Sequence, residues 1–292
     1  MANLHIVNLL WFLHCFAAPA PAVTPDDAAA VRFDVDEDGA VAVAAMVNGA
    51  GPFRFLVDTG SSHTAVGEAL ATRLGLHAVA KAEIVSAIGH SMRPVVRLGR
   101  TAVGAAAREG ILASVLPSAE LGRLGGDVDG VLGQDFLGDF DYTLDYLHGR
   151  LTWTADGEMS EPAARLTLAP EGGRLLATLP QGAGRGVVRL VPDTGSAALV
   201  IFGQGLGGGG GALKLLPASG QARLRSVAGE RTVERALVQA LRVGGLVMNN
   251  EPAVVVERPR SAEGHADGLL PLHRFARVSF NARERCLLIW GR

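Results

Sequence analysis

The chain has 292 residues, of which 48% are hydrophobic and 19% charged; that balance suits a folded protein with a large core and excludes a disordered one. The formal net charge of −2 supplies no electrostatic footprint for nucleic acid or for an anionic membrane surface. Lys81 and Lys214 are the only lysines, so arginine carries nearly all the basic charge, and no function follows from that bias.

Residues 1–22 read as a secretory signal. An apolar core over residues 6–18, interrupted by Asn8 and His14, precedes the small-residue site Ala20-Pro21-Ala22. The region before that core has no Lys or Arg, only His5, which leaves a buried first strand and an uncleaved anchor as alternatives. The run is short for a membrane span, and no later stretch is long and apolar enough for one. Leu13-His14-Cys15 lacks the small residues expected before a lipidated cysteine. Export, to a periplasm or beyond the cell, is the expected destination. The only cysteines are Cys15 and Cys286, so removal of the signal leaves Cys286 alone and forbids an internal disulfide. In the apolar run Cys286-Leu287-Leu288-Ile289-Trp290 it reads as a buried, inert thiol. No Cys/His spacing suggests a metal, and no cofactor is expected.

From residue 31 the chain reads as short strands between turns. Residues 31–35 and 40–47 flank Asp36-Glu37-Asp38-Gly39. Asp34-Val35-Asp36-Glu37-Asp38-Gly39 imitates the opening of a calcium-binding EF-hand loop, but Ala45 stands where the bidentate Glu is required and the flanks are strands, so it reads as a hairpin turn. After the turn at Asn48-Gly49-Ala50-Gly51, an apolar strand over residues 53–57 delivers Asp58-Thr59-Gly60-Ser61. Helical spacing follows over residues 67–76 through Leu70, Leu74 and Leu76. Val85-Ser86-Ala87-Ile88-Gly89-His90 is an apolar segment with a turn near its end, and residues 95–98 form a strand leading away. Then come Asp129-Gly130-Val131-Leu132-Gly133-Gln134-Asp135-Phe136-Leu137 and a closing hairpin over residues 142–153.

The second half repeats that order. Strands near residues 165–168 and 175–179 precede residues 187–191, which deliver Asp193-Thr194-Gly195-Ser196. Ser226-Val227-Ala228-Gly229 answers Ser86-Ala87-Ile88-Gly89. Asp267-Gly268-Leu269-Leu270-Pro271-Leu272-His273-Arg274-Phe275 answers residues 129–137, and residues 280–290 answer the closing hairpin. The pairs Asp58 and Asp193, Gly89 and Gly229, Gly130 and Gly268, Trp153 and Trp290 keep the same order at nearly the same displacement. That points to duplication of one β-rich unit. The halves differ after their Asp loops, where the second carries the run Gly207 to Gly211. The run lacks the Gly-Lys-Ser/Thr ending of a phosphate loop and reads as a flexible linker.

Two Asp-Thr-Gly-Ser loops in this setting resemble the aspartic proteases of the pepsin and retropepsin type, whose two lobes each contribute one such loop. The resemblance covers nearly all of the chain after residue 22. It implies an all-β, bilobal acid-protease fold with lobes over residues 31–154 and 165–292 and the active site between them. It implies that Asp58 and Asp193 form a catalytic dyad, one acting as base toward a water and the other as acid, with no covalent intermediate. Thr59 and Thr194 match the hydroxyls that bond across to the opposing loop, Gly60 and Gly195 the positions of close backbone approach, and Ser61 and Ser196 the hydroxyls that bond the outer carboxylate oxygens. Ile88, Gly89 and His90, with Val227, Ala228 and Gly229, fall where flap hairpins cover the cleft.

The implied function is peptide-bond hydrolysis on an extended peptide or protein substrate with apolar side-chain preferences. With both halves in one chain a monomer is expected to suffice. Three departures stand out: Pro271 replaces the second apolar-apolar-Gly glycine, the flap region has no Tyr, and residues 23–30 are too few for a long inhibitory prosegment. The alternative, supported by Pro271 and the glycine run, is a catalytically silent peptide-binding protein that keeps the fold.

Overall fold

Apolar and alternating runs between turn residues become strands throughout. The computed structural model describes residues 30–86, 89–125, 127–154, 161–181, 186–203, 213–227, 229–257 and 266–292. The signal segment, Cys15, Ile88, Ala228 and the run Gly207 to Gly211 lie outside them. In the first half the elements are β1 (Val31–Arg32), β2 (Asp34–Val35), β3 (Val41–Val47), β4 (Ala50–Val57), β5 (Ala65–Gly67), α1 (Glu68–Arg73), β6 (Ala78–Ser86), β7 (Gly89–Arg97), β8 (Arg100–Val103), β9 (Ala106–Glu109), β10 (Leu112–Leu116), α2 (Ser118–Leu121), β11 (Gly130–Leu132), α3 (Gln134–Leu137), β12 (Tyr142–Asp145) and β13 (Arg150–Thr152). The second half has β14 (Ala164–Glu171), β15 (Arg174–Pro180), β16 (Val187–Asp193), β17 (Leu199–Phe202), β18 (Leu215–Ser226), β19 (Gly229–Val243), β20 (Leu246–Val256), β21 (Gly268–Pro271), β22 (Arg277–Asn281) and β23 (Cys286–Trp290).

Turn chemistry sets the hairpins. Asp36 Oδ1 accepts the N–H groups of Asp38 and Ala40, an Asx turn that closes β2 onto β3. Asn48 and Gly49 both hold positive φ between the paired residues Val47 and Ala50, the two-residue turn whose twist suits a hairpin. The expected helix over residues 67–76 is shorter. It ends at Arg73 because Gly75 turns left-handed (φ +62°) and Leu76 N–H reaches back to Ala71 O, a glycine C-cap.

The strands form two sheets. One runs β6-β7-β10-β5-β11-β4-β3-β8-β9, with β2 on β3; the other runs β1-β13-β12-β22-β23-β14-β15-β16-β21-β17-β20-β19-β18. Each half threads a strand beside the one that ends in its Asp. β11 runs parallel to β4 with Gly130 opposite Phe55, and β21 runs parallel to β16 with Gly268 opposite Leu190. Both glycines are needed for closeness: a Cβ at Gly130 would lie 2.5 Å from Ala65 O, and one at Gly268 would lie 1.9 Å from Val200 O. Just before them, Asp129 Oδ2 accepts Arg54 N–H and Asp267 Oδ2 accepts Arg189 N–H, so the same carboxylate anchor opens both strands.

The halves join edge to edge through β12 and β22, where Thr143 Oγ1 lies 2.9 Å from Ser279 Oγ and the Tyr142 and Phe280 rings stack at 4.8 Å. One apolar cluster continues through both halves, from Phe33 and Phe55 to Leu190, Phe280 and Ile289. Cys286 is buried and unbridged, and burial raises its thiol pKa.

Candidate active site

β4 and β16 bring their C-terminal ends together, and with them the two Asp-Thr-Gly loops. Thr59 and Thr194 are fully buried between the loops. Thr59 Oγ1 donates to Pro192 O at 2.8 Å and accepts Thr194 N–H at 3.1 Å. Thr194 Oγ1 donates to Val57 O at 2.5 Å and accepts Thr59 N–H at 3.0 Å. Each hydroxyl thus uses both its donor and its acceptor capacity on the opposite chain segment. This joint fixes the loops in register with each other.

The carboxyls hang from that joint. Asp58 Oδ1 accepts Gly60 N–H and Ser61 N–H, each at 3.0 Å, and Asp193 Oδ1 accepts Gly195 N–H at 2.7 Å. The two side chains are hydrogen-bonded to each other. The glycines leave room for this approach. A Cβ at Gly60 would sit 2.5 Å from Asp193 Cγ, and one at Gly195 would sit 3.1 Å from Asp58 Cγ.

Electrostatics separates the pair. Asp193 is pushed well above the ordinary carboxyl range by burial first and by the Asp58 charge second. Asp58 is also raised by burial, but the Gly60 N–H, the hydrogen bond with Asp193 and the Ser61 N–H pull it back. Arg174 exerts a smaller lowering influence on both. Two acids in contact resist double ionisation, so burial and the neighbouring charge favour a pair that keeps one proton between its members. Such a pair holds a base and an acid side by side.

The serines behave differently from the expectation that their hydroxyls bond the outer carboxylate oxygens. Ser61 Oγ donates to His63 O at 2.8 Å and Ser196 Oγ to Ala198 O at 2.7 Å. A hydroxyl has one proton, and here each spends it on a nearby carbonyl. It is the Ser61 backbone N–H that reaches Asp58.

Of the flap positions, Gly89 pairs with Ser86 and Gly229 with Ser226, so both hairpins reverse at equivalent points. Ile88 and Ala228 lie outside the described residues. His90 is exposed, and its Nδ1 lies 2.7 Å from Glu83 Oε1 within its own hairpin. Val227 reaches the other half. It packs with Ile84 against the cluster of Ala40, Leu56, Leu116, Leu121 and Val131, and its carbonyl accepts Arg123 Nη2–H at 3.1 Å. Glu120 ties Arg123 to Arg93 of β7, so both hairpins connect to the segment around α2.

Sequence reasoning missed the support beneath the first loop. Gln134 Nε2 donates to Thr59 O at 2.8 Å and its N–H to Ser61 O at 2.9 Å; Asp135 accepts the N–H and the hydroxyl of Thr64. Gly133 lies against His63, where a Cβ would come within 2.5 Å of the His63 carbonyl carbon. The corresponding second-half residues are Pro271, Leu272 and His273, so the amide of Gln134 has no counterpart at the matching place, which holds Leu272. Pro271 is instead buried opposite Asp193 in the ladder.

The architecture, mostly strands in two sheets, is consistent with an all-β bilobal protease fold. Residues 43–136, which include the first Asp loop, the β6–β7 hairpin and the Gly133-Gln134 segment, match the family model for aspartyl protease. That match supports assigning the chain to the aspartic protease superfamily and a protease-type function for it. No curated relative matches the chain. No helix among the described residues is long and apolar enough to cross a membrane.

Proposed function

We propose that the protein is an aspartic endopeptidase, exported and active as a monomer, that hydrolyses peptide bonds with a water activated between Asp58 and Asp193. The observation that carries this is the hydrogen-bonded carboxyl pair held by the reciprocal Thr59 and Thr194 bonds. Asp58, the ionised member, takes a proton from the water as its oxygen attacks the scissile carbonyl. Asp193 gives its proton to the carbonyl oxygen, and a gem-diol forms. Asp58 then protonates the leaving nitrogen while Asp193 recovers a proton from a diol hydroxyl. The dyad ends as it began, with one proton, and no covalent enzyme intermediate is required. The substrate would lie extended between the lobes over residues 31–154 and 165–292, pairing its backbone with cleft and hairpin strands. Duplication of one β-rich unit accounts for the matched pairings of the two halves.

The test is cleavage of a mixed peptide library across acidic to neutral pH by the wild type, Asp58→Asn and Asp193→Asn, with and without a statine-type transition-state mimic. Cleavage by the wild type alone, blocked by the mimic, is expected. Full activity in either variant would overturn the dyad. Binding without turnover, unchanged by both substitutions, would favour a catalytically silent peptide-binding protein, the reading to which Pro271 opposite Asp193 lends weight.

A further inference from the structure

β14 and β15 reverse through Gly172 (φ +57°) and Gly173 (φ +75°), which sit between the paired residues Glu171 and Arg174. Both hold the left-handed conformation that this two-residue turn requires, which fixes where its flanking residues lie. A Cβ at Gly173 would be 2.9 Å from Ser62 Cβ, so the turn backbone rests against the residue that follows Asp58-Thr59-Gly60-Ser61. The second half thereby delivers Arg174 to the margin of the first catalytic loop.

Arg174 is half-buried there, and among the described residues it makes no ion pair or side-chain hydrogen bond. Other arginines differ: Arg54, Arg93, Arg108, Arg165 and Arg274 each face a carboxylate. Its charge acts weakly on both Asp58 and Asp193, in keeping with that place beside the first loop. A partly desolvated guanidinium without a partner is a planar, permanently charged receptor for a carboxylate.

We propose that Arg174 is a specificity-determining residue that receives an acidic side chain of the substrate beside the first catalytic loop; this rests on the proteolytic reading given above. The enzyme then selects peptides with Asp or Glu at one position near the cleaved bond.

The experiment compares peptides that differ only in Glu, Gln or Lys at each position flanking one cleaved bond, using the wild type, Arg174→Gln and Arg174→Glu. The wild type is expected to favour Glu over Gln by about tenfold in kcat/KM at one position, chiefly through KM, as a desolvated charge-assisted pair provides. Arg174→Gln loses that preference, and Arg174→Glu shifts it toward Lys. Cleavage with no acidic preference overturns the proposal and leaves the protease reading standing. So does an equal change for Glu and Gln peptides in Arg174→Gln, which is what a residue that only tunes the dyad produces. If the wild type cleaves nothing, the protease reading fails, and equilibrium binding of the same peptides to the Asp193→Asn protein decides. A Glu-over-Gln binding preference lost in the Asp193→Asn/Arg174→Gln double variant supports Arg174 as the receptor; no preference, or no binding, overturns it.

Discussion

Thr59 and Thr194 exchange hydrogen bonds across the two Asp loops, each hydroxyl accepting the other's backbone N–H and donating to a carbonyl of the facing segment. The four bonds are buried and nearly symmetric. They make the spacing of the carboxyls a property of the joint and free it from the conformation of either loop alone.

Removing one hydroxyl strands a buried donor and a buried acceptor. Thr194→Ala is expected to cost about 2–5 kcal/mol, since each unsatisfied buried group costs roughly 1–3 kcal/mol. The corresponding fall in Tm is roughly 5–15 °C. Thr194→Ser, which keeps the hydroxyl, should recover most of it. Thermal denaturation of the three proteins checks this, and equal Tm values for Ala and Ser would contradict the joint.

Gly60 and Gly195 are not equivalent. The Cβ of Gly60→Ala would meet Asp193 Cγ at 2.5 Å, whereas that of Gly195→Ala would meet Asp58 Cγ at 3.1 Å. The first forces the carboxyls apart and the second asks for a few tenths of an ångström. Gly60→Ala is expected to lower kcat by about 10²-fold or more, the scale of a misplacement near 1 Å, and Gly195→Ala by clearly less. Turnover of any peptide cleaved by the wild type gives the comparison.

The dyad should make stability depend on pH. Because the Asp193 carboxyl is raised well above its usual value of 3.8, the native state holds that proton more tightly than the unfolded chain does. The stabilisation is fully present below 3.8 and is lost as pH rises through the folded value; Asp58, raised less, acts in the same direction. The stability of the wild type relative to Asp193→Asn is therefore expected to fall as pH rises from 3.8 toward the raised folded value. Urea denaturation at fixed ionic strength measures it, and a rising difference would refute the assignment. Catalysis has its own window. Activity should decline on the acid side where Asp58 takes up a proton, above 3.8, and on the basic side where Asp193 releases its own.

The tip of the second hairpin is held by one side chain from the other half. Arg123→Ala deletes the bond to Val227 O while leaving the Val227 side chain on its apolar cluster. Amide exchange around the β18–β19 reversal is expected to quicken about fivefold, the scale of one modest hydrogen bond, with β16 and β21 unchanged. Hydrogen exchange read by mass spectrometry would show it.

The amino-acid sequence by itself determined the two Asp-Thr-Gly loops, the strands that deliver them, the threading segments after Asp129 and Asp267, and the hairpin reversals at Ser86–Gly89 and Ser226–Gly229. All of these are local: apolar runs, turn residues and glycine positions act within a few residues of themselves, so their order could be read directly. Only the tertiary structure decided what the side chains touch. It sent the Ser61 and Ser196 hydroxyls to neighbouring carbonyls, put Gln134 under Thr59 and tied Val227 to Arg123 across the halves. Each of these depends on which distant atoms meet when β12 pairs with β22 and the strand ends converge, and a polar side chain chooses its partner from whatever that closure leaves within reach. The raised pKa values of Asp58 and Asp193 arise the same way, because the two tetrapeptides acquire them only once they are buried against each other.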